Sequence, residues 1–273
     1  EQLAAINLVT PMQNIITNFG SGITVAGAVL IAQYIGAGEK EDARSMANQI
    51  FICAMGFAVV CAALCFLGTP AIVNWLGADG GTAYYARVYL RVVIWDMPFL
   101  YMVNIFSAVH QAQGDTVRPM LLNLGGITLN LFLDPFFMII LDMGTAGAAL
   151  ATLLAKAVPA TVAFILLCRP ENDICLNRRY MQLQREKLGM ILKVGLPTAI
   201  GGSTMQLGFL LMSKNVFVYG TEAMAAYGIG NKVNGLITLP SNAIGSATAT
   251  IVGQNMGAKQ PERAEPGYRF SMW

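Results

Sequence analysis

The sequence predicts an all-α polytopic membrane protein, and three observations carry that prediction. Hydrophobic residues fill 55% of the 273 positions and charged residues only 12%, about half the charged share of an ordinary soluble domain. Seven apolar stretches reach the length of about 20 residues that a helix needs to cross a bilayer. The connections between those stretches alternate between charged and uncharged. A soluble domain of this length would lack charged surface. The net charge of +2, with no basic stripe interleaved with aromatics, also excludes a nucleic-acid partner.

The predicted spans are 4–33, 47–77, 86–112, 119–141, 146–168, 188–218 and 223–255. Several are broken by proline, at Pro11, Pro98, Pro135, Pro159, Pro197 and Pro240. Membrane helices tolerate such breaks where neighbours re-satisfy the freed backbone, and transporters use them often. The turns 36–44, 113–119, 169–187 and 257–269 carry 11 of the 17 Lys and Arg residues, while 76–85, 142–147 and 219–224 carry none. The positive-inside rule therefore predicts a multi-pass protein of the plasma or inner membrane, with the first group cytoplasmic and Glu1 outside.

Residues 4–43 align without a gap onto 225–264. Ala4/Ala225, Thr17/Thr238, Gln33/Gln254, Gly36/Gly257, Ala37/Ala258 and Ala43/Ala264 are among the matches. Five complete helices lie between the copies, so the period is six helices, and an even period makes the halves parallel repeats. The expected whole is a twelve-helix, two-bundle protein, of which this chain holds helices two to eight. Its divisions are then an N-terminal bundle over 1–169, a cytoplasmic linker over 170–187, and the start of a C-terminal bundle over 188–273.

Polar residues inside the spans are the candidate functional ones. Asn130 and Asp134 stand at i and i+4 on one helix face in "ITLNLFLDPFFMII". A carboxylate at mid-membrane costs roughly 2.5–3.5 kcal/mol on insertion scales, so it faces a cavity or a partner. Burial raises its pKa and a nearby cation lowers it, which suits ion coupling; the alternative is a static hydrogen bond. Pro135 removes a backbone donor beside the acid and lets the helix bend. Lys156 lies deep in the next span, four residues beyond Thr152, and is expected to face Asp134 or Asp96. Asp96 is either cavity lining or a local partner of Arg91, and Asn104 lies on roughly its face. Gln206 sits mid-span as a possible substrate donor. Arg91 is expected to snorkel, and so, with less support, is Lys214. His110, the single histidine, is expected to be solvated at the interface. Cys61 and Cys65 share a helix face as small apolar residues, and no metal-ligand spacing exists among the five cysteines. "GITVAGA" and "GSATA" are expected at close helix contacts.

Four motifs in order carry a resemblance. "GAVLIAQYIGAGEKEDA" (27–43), "QAQGDTVRPM" (111–120), "NLFLDPFFMIILDMGTAGAALAT" (130–152) and the run 195–258 together resemble the multidrug and toxic compound extrusion (MATE) transporters. The resemblance implies export of drugs or other amphipathic, cationic organic compounds in exchange for H⁺ or Na⁺, by alternating access between two bundles. It implies an ion-coupling site of Asp134, Asn130 and Thr152, shared with an aspartate of the first helix, which precedes Glu1. Lys156 is unexpected in that pattern. A polar or basic residue at Lys214 is common in the family, so Lys214 joins Asp96, Asn104, Lys156 and Gln206 as substrate-cavity candidates. The seventh helix has no carboxylate, which is similar to the DinF-like branch. The tail "PGYRFSMW" departs from the pattern.

No cofactor is expected beyond the coupling ion, and the partners implied are a small organic substrate and the bilayer, with the protein a monomer. A lipid-linked oligosaccharide flippase of the same superfamily, or an inactive truncated product, is the alternative. An enzyme is not expected, because Asp96 and Asp134 lack a flanking catalytic motif.

Overall fold

The computed structural model describes residues 2–272 apart from 76–82, 85–86, 89, 92–93, 171, 218 and 220. Side chains are described within these apart from 2–16, 19, 72, 74–75, 145, 178, 210, 213–214, 217 and 221–225. The helices are α1 (Gln2–Gly36), α2 (Lys40–Trp75), α3 (Met97–Ala112), α4 (Val117–Pro135), α5 (Gly144–Cys168), α6 (Arg185–Phe217), α7 (Thr221–Gly257) and α8 (Pro261–Ser271). Short 3₁₀ turns occupy Ile94–Asp96 and Arg178–Tyr180, and a π turn spans Phe136–Ile140. The fold is all-α, with no strand among the described residues.

Every predicted span corresponds to a helix, although the outer half of 86–112 lies partly outside the described residues. Among the described residues, the stretches Lys40–Ala71, Val117–Ile140 and Ala146–Cys168 are long and apolar enough to cross a membrane, and Gly20–Gly36 is a shorter apolar helix. The long helices α6 and α7 are less uniform, because Lys193, Asn231, Lys232, Asn234 and Asn242 interrupt their apolar runs. One expectation is corrected. The predicted turn 257–269 contains the helix α8, because Pro261 takes the first helical position, where its missing N–H costs nothing.

α1 is the hub of the packing and touches α2, α3, α6 and α7. Its contact with α6 is made backbone to backbone. A Cβ built on Gly22 would lie 2.7 Å from the Gly195 carbonyl oxygen, and one on Gly195 would lie 3.0 Å from that of Gly22. Only glycine permits that approach on both sides. Ile31, Met46, Ile50, Ile105, Phe106, Leu167 and Ile191 fill the core between these helices. α4 instead turns Leu121, Leu124, Leu131 and Phe132 outward, the face a bilayer would cover.

Past Pro135 the α4 ladder widens into the π turn, and Leu141 N donates to the Phe136 carbonyl at 3.1 Å. Proline cannot donate to the preceding turn, so a widened turn is a physical outlet for the break. α5 then returns antiparallel: Gly126 packs on Ala155 and Pro159 at one end, and Gly147 on Phe137 at the other.

The segment between Cys168 and Arg185 is strapped to the start of α2. Asn48 and Gln49 are fully buried and bind its backbone. The Gln49 amide donates to the Gln182 carbonyl at 2.5 Å and its oxygen accepts from Gln184 N at 3.1 Å, while Asn48 Oδ1 accepts from Asn177 N at 3.1 Å. Lys40 pairs with Asp173 at 3.1 Å and Lys187 with Asp42 at 2.8 Å. The four basic connections meet at one end of the molecule: Lys40 touches Asp173, and the Gln254 amide donates to the Ala112 carbonyl at 2.7 Å.

Candidate ion and substrate sites

Two cavities separate the polar residues of the spans. The smaller, of about 260 Å³, lies among α3, α4 and α5. Asn123 and Asn130 of α4 and Thr152 and Lys156 of α5 supply its polar wall, and Leu100, Val103 and Ile127 part of its apolar wall. The antiparallel α4–α5 pair explains the assembly, since residues one turn apart on each helix face the same gap. Asn130 Nδ2 donates to Asp134 Oδ1 at 3.3 Å. Asp134 is half-buried and is not itself a wall residue; it meets the cavity through Asn130. The Thr152 hydroxyl donates back to the Ala148 carbonyl at 2.9 Å, so its oxygen lone pairs remain available as acceptors.

Lys156 faces Asp96, one of its two expected partners, with Nζ to Oδ2 at 2.5 Å. The Asp96 side chain is 0% exposed and that of Lys156 30%, so the carboxylate is sealed while part of the lysine side chain borders the cavity. Asp96 is held there by its position in the 3₁₀ turn that feeds α3, where its side chain makes no cap hydrogen bond to the helix. Asp96 is not among the residues that border either cavity; it serves as the ion-pair partner of Lys156, while the Arg91 guanidinium lies 5.8 Å from the centre of the Phe66 ring.

The larger cavity, of about 630 Å³, lies between α1, α3 and α7. Its volume falls within the range of drug-sized sites. Asn104 lines it, with Ser107 and Gln111 of α3, Ser21 and Thr24 of α1, and Ser241, Asn242, Ser246 and Thr250 of α7. The Ser246 hydroxyl donates to Gln111 Oε1 at 3.2 Å and links two walls. Ser21, Thr24 and Ser107 donate to carbonyls of their own helices. Sequence reasoning missed this hydroxyl lining. "GITVAGA" and "GSATA" were expected only at helix contacts, yet Thr24, Val25, Ala28, Ser246 and Ala249 all border the cavity. No pattern in the sequence marked it, because small polar residues serve helix contacts and cavity walls alike.

Gln206 is half-buried on α6 and lines neither of these cavities. Lys214 lies within α6, with its side chain outside the described residues. His110 is buried rather than solvated: its ring packs on Phe106 with centroids 4.1 Å apart, and Nδ1 lies 3.0 Å from the Phe106 carbonyl oxygen.

Residues 1–136 and 197–273 match the model of the MatE family. The chain belongs to that family. Among its curated relatives, a probable multidrug resistance protein YoeA of Bacillus subtilis is 23% identical, over 100% of this chain and 60% of the relative. A probable multidrug resistance protein NorM of Thermotoga maritima is 32% identical, over 88% of this chain and 52% of the relative. Among solved structures, a MATE crystal structure in complex with MaL6 superposes with a TM-score of 0.92 at 26% identity, covering 99% of this chain and 60% of that one. An outward-facing multidrug resistance MATE transporter of the MOP superfamily gives 0.92 at 27% identity, with 99% and 60% covered. This MATE chain thus spans between half and two thirds of the length of these relatives, and it shares their integral-membrane helical fold.

Proposed function

We propose that this chain is part of a secondary antiporter that exports drugs or other amphipathic and cationic organic compounds in exchange for H⁺ or Na⁺. The observation that carries the reading is the separation of two polar cavities inside an apolar helical body. A drug-sized cavity between α1, α3 and α7 suits the substrate, and a small one beside Asn130, Thr152 and Asp134 suits the coupling ion. Named relatives of the chain are multidrug resistance and export proteins, which supports the substrate class. Alternating access would move a bundle over 1–169 against one beginning at 188, with 170–187 between them.

Gathering the four basic connections at one end supports a cytoplasmic placement of that end in the plasma or inner membrane. The flippase alternative would call for basic residues free in the cavities, whereas Lys156 is tied to Asp96.

Ethidium efflux from cells expressing the complete coding sequence tests the reading. Asp134→Asn is expected to abolish gradient-driven efflux, and equal efflux from both forms would remove Asp134 from coupling.

A further inference from the structure

We propose that Cys168 and Cys175 form a reversible dithiol, which a peroxide closes into a disulfide that staples the segment after α5 to the end of that helix. The pair stands apart from both cavities, and nothing in it depends on the antiporter reading.

The backbone brings the two residues together. Leu176 N donates to the Leu167 carbonyl at 2.8 Å, across the mouth of the loop that holds both cysteines. With standard bond lengths, that bond keeps the α-carbons of Cys168 and Cys175 within about 8 Å of each other even when fully splayed. Disulfides usually span α-carbon separations of about 4.4–6.8 Å, so closing one here asks for a shift of about 1 Å at most. The two thiols also lie within electrostatic reach of each other.

The loop is held in that shape from several sides. Ile174 and Leu176, on either side of Cys175, are buried in the core. The Asn172 side-chain amide donates to the Leu166 carbonyl at 2.5 Å. Lys40 Nζ donates to the Asp173 carboxylate at 3.1 Å, and Arg44 Nε to the Asp173 carbonyl at 2.7 Å. Anchored this way, each thiol meets the other at a high effective concentration, and little further ordering is needed to join them.

Access sets the order of events. Cys168 is exposed and Cys175 half-buried, so Cys168 is the thiol that meets a water-borne oxidant. Its thiolate attacks one oxygen of hydrogen peroxide and breaks the O–O bond. The sulfur becomes a sulfenic acid, and the other oxygen leaves as water once protonated. The Cys175 thiolate then attacks that sulfur, and the expelled hydroxide takes up a proton and leaves as a second water. The two thiols together give up two electrons and two protons, which the peroxide accepts. A dithiol reductant reverses the step by exchange. Cys53, Cys61 and Cys65 lie inside the apolar span of α2, away from such oxidants.

The test uses the complete transporter in isolated membranes, treated with hydrogen peroxide and then with N-ethylmaleimide. Trypsin does not cut between Arg169 and Pro170, so residues 157–178 come off as one peptide whose only cysteines are Cys168 and Cys175. The expected product is that peptide, two hydrogens lighter and free of maleimide. Dithiothreitol before the block should restore two labelled cysteines. A peptide that still carries two maleimides after peroxide overturns the proposal. So does a disulfide from either cysteine to another peptide, or one oxidised sulfur beside a labelled one.

Cys175→Ser supplies an independent readout. Dimedone, which traps sulfenic acids, should label Cys168 at least about five-fold more in this variant than in the wild type, because the resolving thiol is gone. Equal labelling overturns the proposal. Oxidation should also slow hydrogen exchange at the Leu176 amide roughly ten-fold, since opening its bond to Leu167 must then work against the closed loop. Unchanged exchange overturns the staple.

Discussion

Residues 33–43 and 254–264 are two copies of one turn, and the three hydrogen bonds that close the helix end are the same in both. In the first, Ala37, Gly38 and Glu39 donate to the Gln33, Ile35 and Tyr34 carbonyls at 2.9, 3.0 and 2.9 Å. In the second, Ala258, Lys259 and Gln260 donate to Gln254, Met256 and Asn255 at 2.9, 3.1 and 2.9 Å. Both turns are Schellman-like helix ends with a left-handed residue at the same place, Gly38 at φ 77° and Lys259 at φ 56°. The helices that follow then differ. α2 buries Ala43, Met46, Ala47 and Ile50 and grips the 168–185 segment, whereas α8 is exposed except for Ala264 and the half-buried Gly267 and Ser271. Local sequence sets the turn, and the surroundings set what the next helix becomes.

The copies also meet each other. A Cβ on Gly36 would lie 1.8 Å from the Gln254 carbonyl oxygen, and one on Gly257 would lie 1.9 Å from that of Gln33. The contact is reciprocal, each copy's glycine resting on the other copy's glutamine. The largest expected effect therefore comes from Gly36→Leu or Gly257→Leu. The obstacle is backbone, which no rotamer change relieves, so each should cost about 3 kcal/mol or slightly more. Thermal melts in detergent should show comparable losses for both, and a loss at only one glycine would break the pseudo-symmetry.

Gln49 and Phe270 are the next comparison, since they lie six residues beyond the ends of the two copies, at the same offset of 221 positions. Gln49→Ala leaves two backbone groups of the strapped segment without partners and should cost roughly 2–3 kcal/mol. Phe270 is 87% exposed, and Phe270→Ala should leave the melting temperature unchanged.

A smaller difference separates the two left-handed residues. Lys259→Gly should stabilise by about 0.5–1 kcal/mol, and Gly38→Ala should destabilise by about 1 kcal/mol, both measurable as Tm shifts.

The smallest effect is expected at Tyr180, whose hydroxyl donates to Glu41 at 2.5 Å; the equivalent Glu262 lies on exposed α8. That bond holds the phenol's pKa above its ordinary 10.0. A raised folded-state pKa means the contribution is intact below pH 10 and fades as pH climbs through the folded value. Limited proteolysis within 169–187 should accelerate at alkaline pH in the wild type, and Tyr180→Phe should flatten that dependence.

Much of the fold was legible before any coordinates, because membrane spans are long and backbone satisfaction forces them to be helical. The repeat was legible because its turn chemistry is local. α8 was not, since charged residues and two prolines read as a turn until Pro261 is seen in the first helical position. His110 was misplaced because burial of a helix end depends on neighbours that are distant in sequence. Asp134, Asn130 and Thr152 could be nominated from spacing and resemblance. The hydroxyls of Ser21, Thr24, Ser107 and Ser246 could not, because small polar residues serve helix contacts and cavity walls alike.

By itself the sequence determined the helical class, the order of the spans, the internal repeat and the glycine-bearing turns, all consequences of local pattern and composition. Only the tertiary structure decided that Lys156 takes Asp96 rather than Asp134, that α2 reads the backbone of the connecting segment, and that the two repeat turns rest on each other. Those are contacts between residues 60 to 224 positions apart, and which of several acceptable partners wins at such range is settled by packing geometry that no local pattern encodes.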